Sequence, residues 1–203
     1  MRPDRSGPVA GVVLAAGSST RMGRNKLLFD LGGEPVVRRA VRTAQRAGLD
    51  PVVLVLGHEA DAVRAALTSL PCRFVVNPRH ADGMNGSICA GIEALPPDVA
   101  AGVVLLADMP FVSAEMIATL VERYRTGDAS LILSEYDGVQ APPTLFDRSL
   151  FAELAGPEGK GCGKRMRRRH PDQTTVVAWP GAALADLDVP EDYARVKAQL
   201  AGG

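Results

Sequence analysis

Aromatic residues supply only 4% of this chain, and its 23 Lys and Arg are cancelled by 23 Asp and Glu. Few rings to stack on bases and no net field leave little for nucleic acid or an anionic membrane to recognise, so any anion must be bound locally. Apolar runs such as residues 9–16 and 103–107 fall well short of the roughly 20 residues a membrane span needs. Cysteine is scarce and odd in number: Cys72, Cys89 and Cys162. Their scatter argues against a CxxC metal site and a disulfide framework, and predicts reduced, mostly buried thiols. His58, His80 and His170 are equally scattered, which argues against structural zinc. Arg2, Asp4 and Arg5 stand near the N-terminus with no long apolar signal segment, so a cytoplasmic protein is expected.

What is present is 46% hydrophobic and 23% charged residues over 203 positions, a balance that fits one α/β domain over residues 1–203. Residues 9–15, 52–56, 74–76 and 103–107 read as strands apolar on both faces, as in a sheet held between helix layers. Residues 129–133 and 175–178 read as two more. Pro35 opens a helix with Val36, Val37, Ala40, Val41 and Ala44 on its inward face, ended by Gly48. Further helices are predicted over 60–70, 85–95, from an N-cap at Ser113 onward, and over 190–200. The alternation implies a mostly parallel sheet with helices on both faces, a three-layer α/β/α sandwich whose ligands sit beyond the carboxyl ends of its strands.

Three segments carry chemistry, the first two directly after strands. The first runs from Leu14 through Ala15, Ala16, Gly17 and Ser18 to Arg21 and Lys26. Its small residues let backbone N–H groups approach a phosphate, and the two cations add a bidentate fork and a point charge. It is neither a Walker A loop nor a GxGxxG turn, and an ordinary Gly/Ser turn with two surface cations fits it as well. The second places Asp108 at the tip of a buried strand, an oxygen donor of the kind Mg²⁺ takes, or a turn residue before Pro110. The third, 186–193, carries Asp186 and Asp188 on one side of an extended segment. They suit a second metal ligand or the start of the last helix.

Taken together the set is recognisable. LAAGSSTRMGRNKLL resembles the signature of MobA-like nucleotidyltransferases, a group related to glycosyltransferase-A-type folds. The likeness continues through Gly32-Gly33-Glu34-Pro35, Gly83-Met84-Asn85-Gly86-Ser87, LLADMP and DLDVPEDY, in the family's order. The resemblance implies a Rossmann-like nucleotidyltransferase domain that binds an NTP over the first loop. Leu14, Ala15, Ala16, Gly17 and Ser18 would hold the nucleotide by backbone contacts, Arg21 and Lys26 its phosphates, and Gly83 and Ser87 would lie near the base. Asp108 and Asp188 would bind Mg²⁺, with Asp186 a weaker candidate for the second ligand. Arg21, Lys26 and Asp108 are then the expected catalytic set.

Leu-Ala-Ala-Gly, Gly57-His58 and the Gly-Met-x-x-Ser segment look like the branch that transfers cytidylyl from CTP to molybdopterin. A molybdenum hydroxylase is then a further expected partner. Two stretches depart from that branch. Ala141-Pro142-Pro143-Thr144-Leu145-Phe146 stands where a His-Pro is usual, and Gly159-Lys160-Gly161-Cys162-Gly163-Lys164 replaces Gly-Asp-x-Gly-Ala-Arg. Both fall where the second substrate is expected. The basic run from Lys160 to His170 suits an anionic acceptor, or is a solvated basic face. A sugar phosphate, methylerythritol phosphate or small phosphorylated acid stays open as the acceptor, as does a non-catalytic chaperone for a molybdoenzyme.

Overall fold

The central sheet is built around β1 (Val9–Ala15), a strand buried along its whole length. Its alternate side chains divide between two cores: Val9, Val13 and Ala15 face one, Val12 and Leu14 the other. A strand with no polar face is stable only between two helix layers, and that is its setting. The computed structural model describes residues 5–19, 22–156 and 162–201.

Six further strands complete the sheet: β2 (Val52–Leu56), β3 (Arg73–Val76), β4 (Ala101–Leu106), β5 (Leu131–Tyr136), β6 (Val139–Asp147) and β7 (Thr174–Trp179). Their order is β3-β2-β1-β4-β6-β5-β7. Only β6 runs against its neighbours, so the sheet is mostly parallel. One face is covered by α1 (Val36–Arg46), α4 (Ala114–Thr126) and α7 (Pro190–Ala201), which contribute Val37 and Val41, Ile117 and Leu120, and Val196. The other is covered by α3 (Met84–Glu93), α5 (Phe151–Ala155) and α6 (Cys162–Arg169), through Ile88, Ile92, Leu154 and Met166. Each such aliphatic side chain stabilises the fold by roughly 1.5–3 kcal/mol on full burial. The short α2 (Ala60–Ala65) follows β2. Among the described residues no helix is long and apolar enough to cross a membrane.

Several expectations change on contact with the structure. The helix foreseen over 60–70 ends at Ala65; Val63 and Leu67 are still buried, but residues 66–69 form turns and Ser69 takes φ 73°. Pro35 is the N-cap of α1 rather than its first helical residue. The strand foreseen at 129–133 lies two to three residues later. β3 is not buried on both faces; it is an edge strand whose ends are exposed. Cys72 and Cys89 are free but half-buried rather than buried. β6 was not foreseen, because Pro142 and Pro143 argue against a central strand. The prolines fall where the β5–β6 register shifts, between the Leu133–Thr144 and Ser134–Ala141 pairs, so no ladder N–H is required of them.

Candidate active site

β1 has β2 on one side and β4 on the other; the connection after β1 runs to β2, and the connection after β4 runs the opposite way along the sheet to β5. A crevice opens at the carboxyl end of a strand in that position. Leu14 pairs with Leu106, and the Ala107 N–H donates to the Leu14 carbonyl at 3.1 Å, so the loop after β1 and the turn holding Asp108 start side by side. A cavity of about 300 Å³ lies here, lined by Leu14, Ala15, Ala16, Gly17, Ser18, Lys26, Gly83, Ser87 and Asp108, with His80 and Met84 among the others. Gly17 and Ser18 are exposed to it, and a Cβ built on Gly17 meets no protein atom within 4 Å. The space above this backbone is open to a ligand.

At the β4 side of the cavity the ammonium of Lys26 bridges two carboxylates, 2.5 Å from Asp108 and 3.0 Å from Asp188. Lys26 is fixed from its own backbone: its N–H donates to Ser19 Oγ at 3.2 Å, and buried Asn25 caps the following 3-10 turn by accepting from the Leu27 N–H. Burial works against the Lys26 charge, but Asp108 and then Asp188 outweigh it and hold its pKa above the usual lysine value. The opposite holds for Asp186. Burial of its carboxyl, then the negative charges of Asp108 and Asp188, push it up to about 6.

The late acidic segment reaches this place through its own contacts. Leu187 is fully buried, and its N–H donates to the Asp108 carbonyl at 3.3 Å. Asp192, in the first turn of α7, accepts from the backbone N–H groups of Asp188 and Val189. Tyr193 packs its ring edge-on against Phe29 at 5.1 Å and donates to the Asp30 carbonyl. The segment therefore takes the helix-start role expected of it, and it also brings Asp188 to Lys26.

The far side of the cavity lies at the start of α3. Gly83 precedes this helix with φ 111°, a backbone state open to glycine, and Gly91 lets α3 lie against Val12 of β1 and Val55 of β2. This sets Ser87 at the β2 side of the loop, opposite the charged end. Ser87 is buried and accepts from the buried Asn77 side chain at 3.1 Å.

A second cavity, of about 320 Å³, adjoins the first and shares Met84 with it. Ile88, Val104, Pro142 and Phe146 make most of it apolar; Gln140, Asn85, Thr144 and Lys164 supply polar groups. Both stretches that depart from the cytidylyltransferase pattern contribute, the first through residues 141–146 and the second through Gly163 and Lys164. In α6, Arg167 and Arg169 are engaged by Glu135 and Glu153, so part of the basic run is paired structure.

Of the residues singled out from sequence, the structure brings nine to one cavity and joins Asp188 to it through Lys26. Arg21, and Gly159 to Gly161, lie outside the described residues. Sequence reasoning missed Asn77, His80 and Met84. Asn77 stands at the carboxyl end of β3, in the class of position where ligand-organising residues gather, and that was the signal available. Two aspartates from segments far apart in sequence gather on one cation. Among the described residues no three His, Cys, Asp or Glu side chains converge to hold a metal ion by themselves.

Residues 11–174 match the model of the MobA-like NTP transferase domain. The bifunctional protein GlmU of Anaeromyxobacter sp. (strain K) is 35% identical over 133 residues, 63% of this chain and 27% of that protein. The chain thus spans about a quarter of the length of that relative. The purine catabolism protein PucB of Bacillus subtilis (strain 168) is 30% identical over 207 residues, covering 95% of this chain and 98% of PucB. Among solved structures, Rv0371c of Mycobacterium tuberculosis H37Rv superposes with a TM-score of 0.83 at 27% identity, covering 95% of this chain and 98% of that one. A manganese complex of Rv0371c superposes with a TM-score of 0.79 at 28% identity, covering 94% and 98%. With that fold, this cavity and a family match over most of its length, the chain belongs to the MobA-like NTP transferase family.

Proposed function

We propose that this protein is a Mg²⁺-dependent cytidylyltransferase that joins CTP to molybdopterin and releases pyrophosphate. The observation that carries the reading is the Lys26 ammonium held between Asp108 and Asp188 at the rim of a cavity lined by backbone of residues 14–18. In the reaction an oxygen of the acceptor phosphate attacks the α-phosphorus of CTP. The bond from that phosphorus to the bridging oxygen breaks, and pyrophosphate carries away the electron pair. No protein nucleophile is required, because phosphoryl chemistry depends mainly on positioning and charge.

The loop from Leu14 to Ser18 would cradle the nucleotide, with Gly83 and Ser87 near its base. Lys26 would place its positive charge where negative charge grows on the transferring and leaving phosphates; Arg21 is assigned the same task by the resemblance. Asp108 and Asp188 fit a divalent cation because they already converge on one positive charge, with Asp186 as the weaker candidate. Mg²⁺ takes one or two carboxylates and fills its remaining positions with water and phosphate oxygens. When bound it supplies Lewis-acid neutralisation of the phosphate charge. The manganese complex of Rv0371c supports a divalent-cation site in such a chain, and Mn²⁺ accepts the same oxygen ligands.

The acceptor is argued from the second cavity. A sugar phosphate calls for many hydrogen-bonding side chains, whereas Ile88, Val104, Pro142 and Phe146 offer flat apolar surface. A pterin phosphate suits such a floor, with Gln140 for its polar edge and Lys164 for its anionic end. The lysine and carboxylates needed for transfer are all present, which favours an enzyme over a cofactor-carrying chaperone. A comparison of molybdopterin, a sugar 1-phosphate and methylerythritol phosphate as acceptors, read as pyrophosphate release from CTP, tests the assignment. Faster release with either of the latter two would overturn it.

A further inference from the structure

We infer that Asn77 is a positioning residue that sets the base preference of the nucleotide cavity, acting through the hydroxyl of Ser87. The inference rests on the proposal that a nucleotide occupies this cavity with its base beside Ser87.

Asn77 follows the last residue of β3 and is 4% exposed. Its own N–H donates to the Leu56 carbonyl, which ties it to the end of β2. Its side chain makes two hydrogen bonds. The backbone N–H of Arg79 donates to Oδ1 at 3.0 Å, and Nδ2 faces Ser87 Oγ at 3.1 Å. The first bond fixes the second. A backbone N–H can only donate, so the amide must turn its oxygen towards Arg79 and its NH₂ towards Ser87.

The consequence is a hydroxyl with an assigned direction. Ser87 Oγ accepts from Asn77, so one lone pair is used and its proton is left to donate elsewhere. Among the described residues no second partner takes that proton. Ser87 is 3% exposed and lines the cavity, so turning the proton away from the ligand would leave a buried donor unpaired. The cavity therefore presents a donor at this point, and a ligand atom that accepts is favoured there.

Cytosine and uracil differ at N3 and at the 4-substituent, and the inference places N3 of the base against Ser87. N3 of cytosine is an acceptor, whereas N3 of uracil carries a hydrogen and donates. A donor held by Asn77 favours the first and opposes the second, although the two bases have the same size and shape. Ser87 without Asn77 would be free to rotate and satisfy either base.

Asn77→Asp tests this directly. A carboxylate still accepts from the Arg79 N–H, but it accepts from Ser87 as well, reversing the hydroxyl and turning its lone pairs to the cavity. Affinities for CTP and UTP are measured by calorimetry on the full chain for the unaltered protein, Asn77→Asp and Ser87→Ala. The unaltered protein should favour CTP. Asn77→Asp should lower the CTP-to-UTP preference by about tenfold or invert it, and Ser87→Ala should bring it close to one, a tenfold ratio corresponding to one well-made hydrogen bond. A merely structural asparagine would weaken both nucleotides together. A CTP preference unchanged in Ser87→Ala overturns the inference even if Asn77→Asp does not fold. No binding of CTP by the unaltered protein removes the proposed nucleotide site, and the inference with it.

Discussion

The Lys26 ammonium lies 2.5 Å from a carboxylate oxygen of Asp108, although 82 positions separate the two residues in the chain. One leaves the loop after β1 and the other the end of β4, neighbouring strands whose carboxyl ends meet because Leu14 and Leu106 are paired. Asp188 adds a second carboxylate at 3.0 Å. The pairing makes Lys26 part of the charge balance of the cleft, beside its proposed role as a phosphate ligand. Lys26→Ala and Asp108→Ala should each lower the rate of pyrophosphate release roughly a hundredfold or more, as deletions of charge-stabilising groups commonly do. Near-normal turnover in either variant would contradict the assignment.

On the proposed assignment, Lys26 and a divalent cation would compete for the carboxylates of Asp108 and Asp188. Mn²⁺ titration followed by electron paramagnetic resonance should therefore show weak binding without nucleotide and tighter binding with CTP, whose phosphates draw the ammonium away. In Lys26→Ala the free protein should bind Mn²⁺ more tightly than the unaltered chain. Asp188→Asn should weaken Mn²⁺ binding in both states. Equal Mn²⁺ affinity in all of these proteins would place the cation elsewhere.

Asp186 gives a pH signature in the absence of metal. Its carboxyl is pushed from the ordinary 3.8 to about 6, so between those values the folded chain binds more protons than the unfolded one. The contribution to stability is complete below the unfolded value and is lost as pH rises through about 6. Protein atoms surround the Asp186 carboxyl while much of the residue's surface stays in solvent, and screening keeps the effect small. Asp186→Asn should gain thermal stability relative to the unaltered chain as pH increases from 4 to 7. A difference in melting temperature that does not change across this range would show that Asp186 does not feel its neighbours.

Gly17 separates fold from ligand. A Cβ there meets nothing within 4 Å, so Gly17→Val should leave the melting temperature nearly unchanged. The same branched side chain would stand in the cavity and weaken CTP binding by about tenfold or more, the scale of a 1–3 kcal/mol steric cost. Loss of stability with nucleotide affinity intact would reverse that assignment.

Much of this was legible in the residues. The ends of β1 and β2 follow from runs with no polar side chain, and Ser113 caps α4 by accepting from the Met116 N–H at 3.2 Å. The order of LAAG, Asp108 and Asp188 in the chain pointed to one site because strands of a parallel sheet present their carboxyl ends together. What escaped was set by tertiary context. β6 holds two prolines that only its bulge accommodates. The helix after β2 stops at Ala65, and Ser69 then takes a positive φ that no periodicity reveals. Asn77 looks like any polar residue at a strand end until Arg79 and Ser87 are seen on opposite sides of its amide.

Pyrophosphate release tests the proposed nucleotidyl transfer from CTP to molybdopterin most directly. With Mg²⁺ and molybdopterin present, CTP, GTP and ATP would be compared at equal concentration. Turnover with CTP, and little with GTP or ATP, is the predicted result. No pyrophosphate from any of the three, in a protein that still binds nucleotide, would contradict the account.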